Sequence, residues 1–375
     1  MSAAHSHGLE SIVAASTRTS MVDGEAGRLV IAGYELEGLA PQATFEEMVF
    51  LLWNGRLPDA AELKLCRDAL ARHRQLAPAT VRLLEEAASK DVTITDALVM
   101  AAPTLRIGRN EDPGEDALTV VAAFPAIVGS YWRLKNGNAP VPPREGLSHA
   151  AHFLHQVFGV EASAEQTRGL ETYLNTVCDH GLNASTFTAR VIMSTRSDVI
   201  SAVTGAVGAL KGPLHGGAPG PALDMVFEVG APENAEPVIR AMLARGERLM
   251  GFGHRVYRVR DPRADVLAAA AERLYNSDAD RRLYLLAKEV ERTALRLLAE
   301  HKPGRRLQTN VEFYTALLLH GLGLPVELFT PTFAVGRALG WTAHCFEQLK
   351  EDRLIRPQSE YSGPIGLKFQ PVDAR

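Results

Sequence analysis

Three histidines in this 375-residue chain sit where a regular helix cannot run. His180 lies in CDHGLNASTFTAR, just ahead of a helix start at Asn183, His215 in KGPLHGGAPGP, and His254 in MGFGHRVYRVRDPR. Glycine beside a histidine lets backbone and ligand come close, and the loops around His215 and His254 hold more of it than simple turns need. Taken singly, each histidine also reads as an ordinary hydrogen-bonded residue. Arg255, Arg258, Arg260 and Arg263 follow within nine residues of sequence. Such a run is a solvated face by default, but beside a glycine-flanked histidine it suits a small polyanion, because guanidinium forks grip carboxylates and phosphates bidentately.

Two further arginines and one acid stand apart. Arg337 interrupts the apolar helix TFAVGRALGWTAHCFEQ. A buried guanidinium there requires an anion, from a structural ion pair or from a ligand. Arg356 precedes a proline in RLIRPQSEYSGP, an extended tail of the kind that reaches another subunit. Glu312 in TNVEFYTALLLHGLG falls in the first turn of a helix capped by Asn310, where the helix dipole favours a carboxylate. On its own it reads first as a capping acid; beside the histidines it reads as a base.

The elements that must carry these residues are helices. Apolar residues recur at i, i+3 and i+4 through ATFEEMVFLLWNGRLP, AAELKLCRDALARHRQL and DRRLYLLAKEVERTALRLLAEHK. DALTVVAAFPAIVGSYWRLKNG reads as a buried helix that Pro125 would kink. SDVISAVTGAVGAL reads as an internal helix whose Gly205 and Gly208 admit a close neighbour. GRLVIAGYELEGLA, residues 27–40, suggests one short hairpin, and little else alternates with period two. The expected class is all-α, compact, with two lobes sharing a cleft.

The composition sets limits. The chain is 46% apolar and 22% charged with a net charge of −4, values of a soluble globular protein. No basic run suggests nucleic acid, no unbroken apolar run reaches membrane-spanning length, and no signal peptide is legible; a cytoplasmic protein is expected. Cys66, Cys178 and Cys345 are too scattered for disulfides or zinc, and HSH at 5–7 reads as a frayed terminus rather than a metal site. No metal is expected. Dinucleotide, P-loop and nucleophile-elbow motifs do not occur.

Eight blocks, in order from residue 8 to about 364, resemble the citrate synthases and 2-methylcitrate synthases. They are GLESIVAASTRTSMVDGEAGRLVIAGYELEGLA, FEEMVFLLWNGRLP, DHGLNASTFTARV, GPLHGGAPGPA, GFGHRVYRVRDPRA, NVEFYTALLL, FTPTFAVGRALGWTAHCFEQ and RLIRPQSEYSGP. The resemblance implies an all-α homodimer with a large domain at 1–215 and 324–375 and a small, mobile, CoA-binding domain at 216–323. It implies condensation of acetyl-CoA or propionyl-CoA with oxaloacetate and hydrolysis of the product thioester, with no tightly bound cofactor. His215 resembles the histidine that stabilises the enol, Glu312 the base, and His254 the histidine that polarises the ketone. His180, Arg263 and Arg337 resemble oxaloacetate ligands, Arg356 the arginine lent by the partner subunit, and Arg258 a CoA-phosphate contact.

Two positions depart from the family pattern. The base is aspartate in the usual NVDFY, and Glu312 reaches one methylene further; Pro219 stands where GPLHGGAN has asparagine. The first departure supports an alternative reading, a catalytically weak relative that senses CoA or a dicarboxylate.

Overall fold

The computed structural model describes residues 7–9, 12–109, 111–216, 219–254, 256–275 and 278–375; His5 and Arg255 fall outside them. Three short strands, β1 (Ser20–Asp23), β2 (Arg28–Ile31) and β3 (Tyr34–Glu35), form an antiparallel sheet in that order, with Ser20 opposite Ile31 and Val30 opposite Glu35. Helices follow: α1 (Leu36–Leu39), α2 (Phe45–Asn54), α3 (Ala60–Arg72), α4 (Pro78–Ser89) and α5 (Ile94–Ala101). Next come α6 (Pro113–Lys135), α7 (His149–Phe158), α8 (Ala164–Val177), α9 (Ala184–Met193) and α10 (Val199–Leu210). The remainder are α11 (Pro219–Val229), α12 (Ala235–Ala244), α13 (Pro262–Leu274), α14 (Asp278–His301), α15 (Val311–Gly321) and α16 (Phe329–Glu351). The class is all-α, as the sequence implies.

The starts of these helices are written locally. Thr44, Asp59 and Ser163 each bond the third residue of their helix and receive its side chain in return, which satisfies two otherwise orphaned donors. Pro113 and Pro262 occupy first-turn positions, where a missing N–H costs nothing. Pro219 likewise opens α11 rather than lengthening the loop after His215.

The expected hairpin at 27–40 is only partly formed. Its strand portion ends at Glu35, and Leu36 and Leu39 then turn to one side and are buried, a spacing of three that only a helical turn satisfies. Strand β1 carries no period-two signal in the sequence, and its burial does not alternate.

The core is built around α6. It is a single helix that contains Pro125, and every residue from Thr119 to Tyr131 is buried. Among the described residues it is the one helix long and apolar enough to cross a membrane, yet 78% of that apolar stretch is covered by the protein itself. Helices α4, α5, α7, α10 and α16 pack around it. At Gly129 a Cβ would lie 2.4 Å from Gln156 Cβ and 2.7 Å from its backbone carbon, so α6 and α7 approach more closely than any larger residue allows. Of the two glycines singled out on α10, Gly205 fills that role against Ile192 of α9, whereas nothing lies within 4 Å of a Cβ at Gly208.

Gly129→Ala is therefore expected to lower the unfolding free energy by about 1–3 kcal/mol, as overpacking against fixed backbone does. The control Gly208→Ala should raise it by up to about 1 kcal/mol, since alanine is the better helix former. Urea titration of both variants checks the pair.

Candidate active site

The site starts from two loops that are tied into one piece. Asn310 caps α15: its Oδ1 accepts the Glu312 N–H at 3.0 Å, while its Nδ2 donates to Gly253 O at 2.8 Å and its backbone N–H to Gly251 O at 3.0 Å. Gly251 and Gly253 hold positive φ values of 86° and 81°, which admit glycine without strain and lay the His254 loop against the helix start. Asp261 closes the arrangement. Its carboxylate caps α13 at the Arg263 N–H, takes the Arg263 side chain at 3.0 and 2.8 Å, and accepts the Val311 N–H at 3.2 Å. His254, Arg263 and Glu312 thus belong to one rigid unit.

Within it the His254 tautomer is fixed by the backbone. Nδ1 accepts the N–H groups of Val256 and Tyr257 at 3.0 and 3.1 Å, so the neutral ring carries its proton on Nε2. Burial and the Arg263 charge push the imidazole down to about 4, so it is neutral at pH 7. Nε2 stands 3.2 Å from Arg263 Nη2. With Nδ1 accepting, both groups carry protons, and an acceptor oxygen suits the space they face.

The opposing wall comes from α9, α16 and the segment before α9. His180 is packed edge-on to His254, ring centroids 5.8 Å apart, with its Nε2 3.1 Å from the Tyr257 hydroxyl. Burial and the charges of Arg263 and Arg337 hold its pKa well below the ordinary histidine value. Arg337 is 1% exposed. Its Nε donates to Val177 O at 2.6 Å and its guanidinium lies 4.7 Å from the Phe333 ring centre. Among the described residues no carboxylate lies within 4 Å of it, so the structural ion pair that would have explained it is missing. Burial and Arg263 lower its pKa to about 10 against the pull of Asp179, which leaves it charged.

His215 stands edge-on to Phe333, ring centroids 6.2 Å apart, its pKa lowered to about 4 by burial and Arg337. Its Nε2 meets Ser185 Oγ at 2.7 Å. That hydroxyl also receives the Trp341 indole N–H at 3.0 Å and has Asn183 Oδ1 2.8 Å away. Its single proton has two acceptors within reach. When it points at His215 Nε2, the ring carries its own proton on Nδ1 and can donate from there.

Glu312 differs from the sequence expectation in one respect. Position at a helix N-terminus suggests a carboxylate kept ionised by the dipole, but burial raises its pKa and outweighs the opposing charges of Arg263 and Arg248. Arg248, in ARGERLMGFGH, was not singled out from sequence; its pull on Glu312 adds a third cation to Arg263 and Arg337 around the site. Arg260 goes the other way, since Asp265 at 2.6 Å and Glu291 at 2.7 Å hold it away from any ligand. Asp261 and Ser185 were also missed. The DPR sequence did signal Asp261, as an N-cap residue before a first-turn proline.

Not every expected residue is gathered in. Arg258 is exposed on the His254 loop, anchored by its backbone N–H to Gly24 O at 2.9 Å. Arg356 is exposed on the extended C-terminal segment, beside Ile355, whose N–H donates to Ser194 Oγ at 3.1 Å just past the end of α9.

The family profile described as "Citrate synthase, C-terminal domain" matches residues 8–358. The chain belongs to the citrate synthase family. A citrate synthase of Haloferax volcanii is 40% identical over the whole of both chains. A 2-methylcitrate synthase of Mycobacterium tuberculosis is 38% identical over 95% of this chain and 90% of its own. The citrate synthase of Thermoplasma acidophilum, solved as a ternary complex with carboxymethyl coenzyme A and oxaloacetate, superposes with a TM-score of 0.89 at 29% identity, covering 98% of each chain. Like these citrate synthase family members, the protein is an acyltransferase.

The burial at Glu312 has a direct readout. Its carboxyl is expected to titrate above the usual glutamate range in NMR of carbon-labelled protein. Arg248→Gln removes a charge that lowers this pKa and must move the titration higher still; a shift downward, or none, would contradict the placement of Arg248.

Proposed function

We propose that the protein condenses a short acyl-CoA, acetyl-CoA or propionyl-CoA, with oxaloacetate and hydrolyses the thioester formed, yielding citrate or 2-methylcitrate and CoA. The observation that carries this reading is the pairing of two buried guanidinium groups, Arg263 and Arg337, with a neutral His254 whose Nε2–H faces the space beside Arg263. Oxaloacetate suits that set. Its carboxylates meet Arg263, Arg337 and His180, and its ketone oxygen accepts from His254 Nε2. Carboxylate–guanidinium pairs in a dry site hold the ketone in one orientation.

Glu312 takes a proton from the acyl α-carbon. A glutamate whose pKa is raised by burial is a better base for so weak an acid than an ordinary one. His215, protonated on Nδ1 when Ser185 donates to its Nε2, gives a hydrogen bond to the thioester oxygen as negative charge develops there. The nucleophilic carbon then adds to the ketone carbon while His254 stabilises the new alkoxide, and water cleaves the thioester. Arg258 meets a phosphate of CoA. The relatives named citrate synthase and 2-methylcitrate synthase, and the neighbour solved with oxaloacetate and a CoA derivative, support the substrate pair.

The same reading includes a cytoplasmic homodimer with residues 216–323 as the mobile lobe. The C-terminal segment supports the dimer: Ile365, Leu367 and Phe369 are each more than three-quarters exposed in the single chain, an apolar run that a second copy would cover. Arg356 enters the partner's site from there.

The deciding assay is thiol release from acetyl-CoA and from propionyl-CoA, each with oxaloacetate. Release is expected with at least one, and the ratio sets the acyl preference; none with either defeats the reading. For the shared site, Arg356→Ala and Glu312→Gln protein are each expected to be nearly inactive. Unfolding and refolding them together should recover activity through hybrid dimers that hold one intact site, and no recovery would place Arg356 in its own subunit's chemistry.

A further inference from the structure

One face of α16 does more than supply Arg337. Arg337, Gly340, Trp341 and His344 recur at i, i+3, i+4 and i+7, and all four lie against residues 177–185. Arg337 bonds Val177 O, and Trp341 bonds Ser185. At Gly340 a Cβ would fall 2.2 Å from Cys178 O and 2.6 Å from Asp179 Oδ1, so the segment ahead of His180 rests directly on the helix backbone.

His344 completes the stripe. It is fully buried, and its Nε2 lies 3.2 Å from Oδ1 of the fully buried Asp179. Neither atom has a well-aligned hydrogen bond among the described residues, so within this ion-pair contact each is the polar group the other faces. On the other side of the ring, Nδ1 faces Arg190 Nη1 at 3.3 Å. Arg190 is itself fixed by Glu347, Glu351 and Gln348 at 2.9, 3.0 and 3.1 Å. A guanidinium can only donate, so Nδ1 accepts and the His344 proton sits on Nε2, toward Asp179. The second Asp179 oxygen accepts from Ser20 Oγ at 2.5 Å and from the Gly181 N–H at 3.2 Å. Gly181 donates to Ser20 Oγ as well, at 2.9 Å. The residues on both sides of His180 are therefore held through one carboxylate.

We propose that His344 is a positioning residue: through Asp179 it fixes the backbone at 179–181 and so sets where His180 presents its ring to oxaloacetate. It touches neither substrate. This rests on the oxaloacetate reading above and goes further by naming what orients that ligand-binding residue.

The test is calorimetric titration of oxaloacetate alone, which needs no turnover. His344→Phe keeps a ring but loses both nitrogens, and is expected to raise the oxaloacetate Kd about tenfold, as loss of a hydrogen bond to a charged group does. His344→Gln, which can still donate to Asp179, should recover most of that affinity. The KM for acyl-CoA should stay within about twofold of wild type in both, whereas a merely structural role would move both substrates together. Should His344→Phe fail to fold, Ser20→Ala on the partly exposed strand β1 reports on the same carboxylate and is expected to weaken oxaloacetate binding severalfold. Wild-type affinity in the variants would overturn the inference and leave the oxaloacetate reading standing; no oxaloacetate binding by wild type would overturn both.

Discussion

Arg263 and Arg337 place two guanidinium charges in one buried site, and much of the surrounding structure answers to that constraint. Asp261 neutralises the first at hydrogen-bonding distance, while Asp179 attracts the second without touching it. Burial, reinforced by this positive potential, keeps His180, His215 and His254 neutral, because a charged imidazole in the same low-dielectric space would be both desolvated and repelled. Neutral imidazoles are useful here: each retains a proton to donate to an oxygen while adding no charge of its own.

The two walls of the site are stiffened by different means. Around His254 the work falls to backbone, through glycines at positive φ, the Asn310 cap and Asp261. Around His180 and His215 it falls to a helix face, through Arg337, Gly340, Trp341 and His344. The walls meet at the contact of His180 with Tyr257, and the turn between β1 and β2 touches the His254 loop through Gly24. That division follows the order of the chain: the first wall is assembled from segments 251–263 and 309–312, the second from 177–185 and 329–351.

The helical class was legible because burial at period 3.6 writes itself into α2, α3 and α14. The failures were at short range, where α1 and β1 are too brief for any period to show. His180, His215 and His254 were legible by their glycines, and Arg337 by its apolar surroundings. Asp179, Ser185 and His344 were not, since each lies inside an ordinary-looking segment and matters only through a partner roughly 30 to 165 residues away. At Glu312 the helix dipole acts within one turn, but burial by distant helices is a tertiary effect that a single turn of sequence cannot display.

The contact at Gly340 bears on how this chain can vary. An α-helix turns by about 100° per residue, so deleting or inserting one residue between Arg337 and His344 would swing one end of the stripe away from segment 177–185 while leaving composition and hydrophobic content nearly intact. With no room for a Cβ at position 340, the helix cannot rotate to compensate. Length between these two residues is thereby fixed by geometry, since an indel there would separate the contacts that Arg337 and His344 make with segment 177–185.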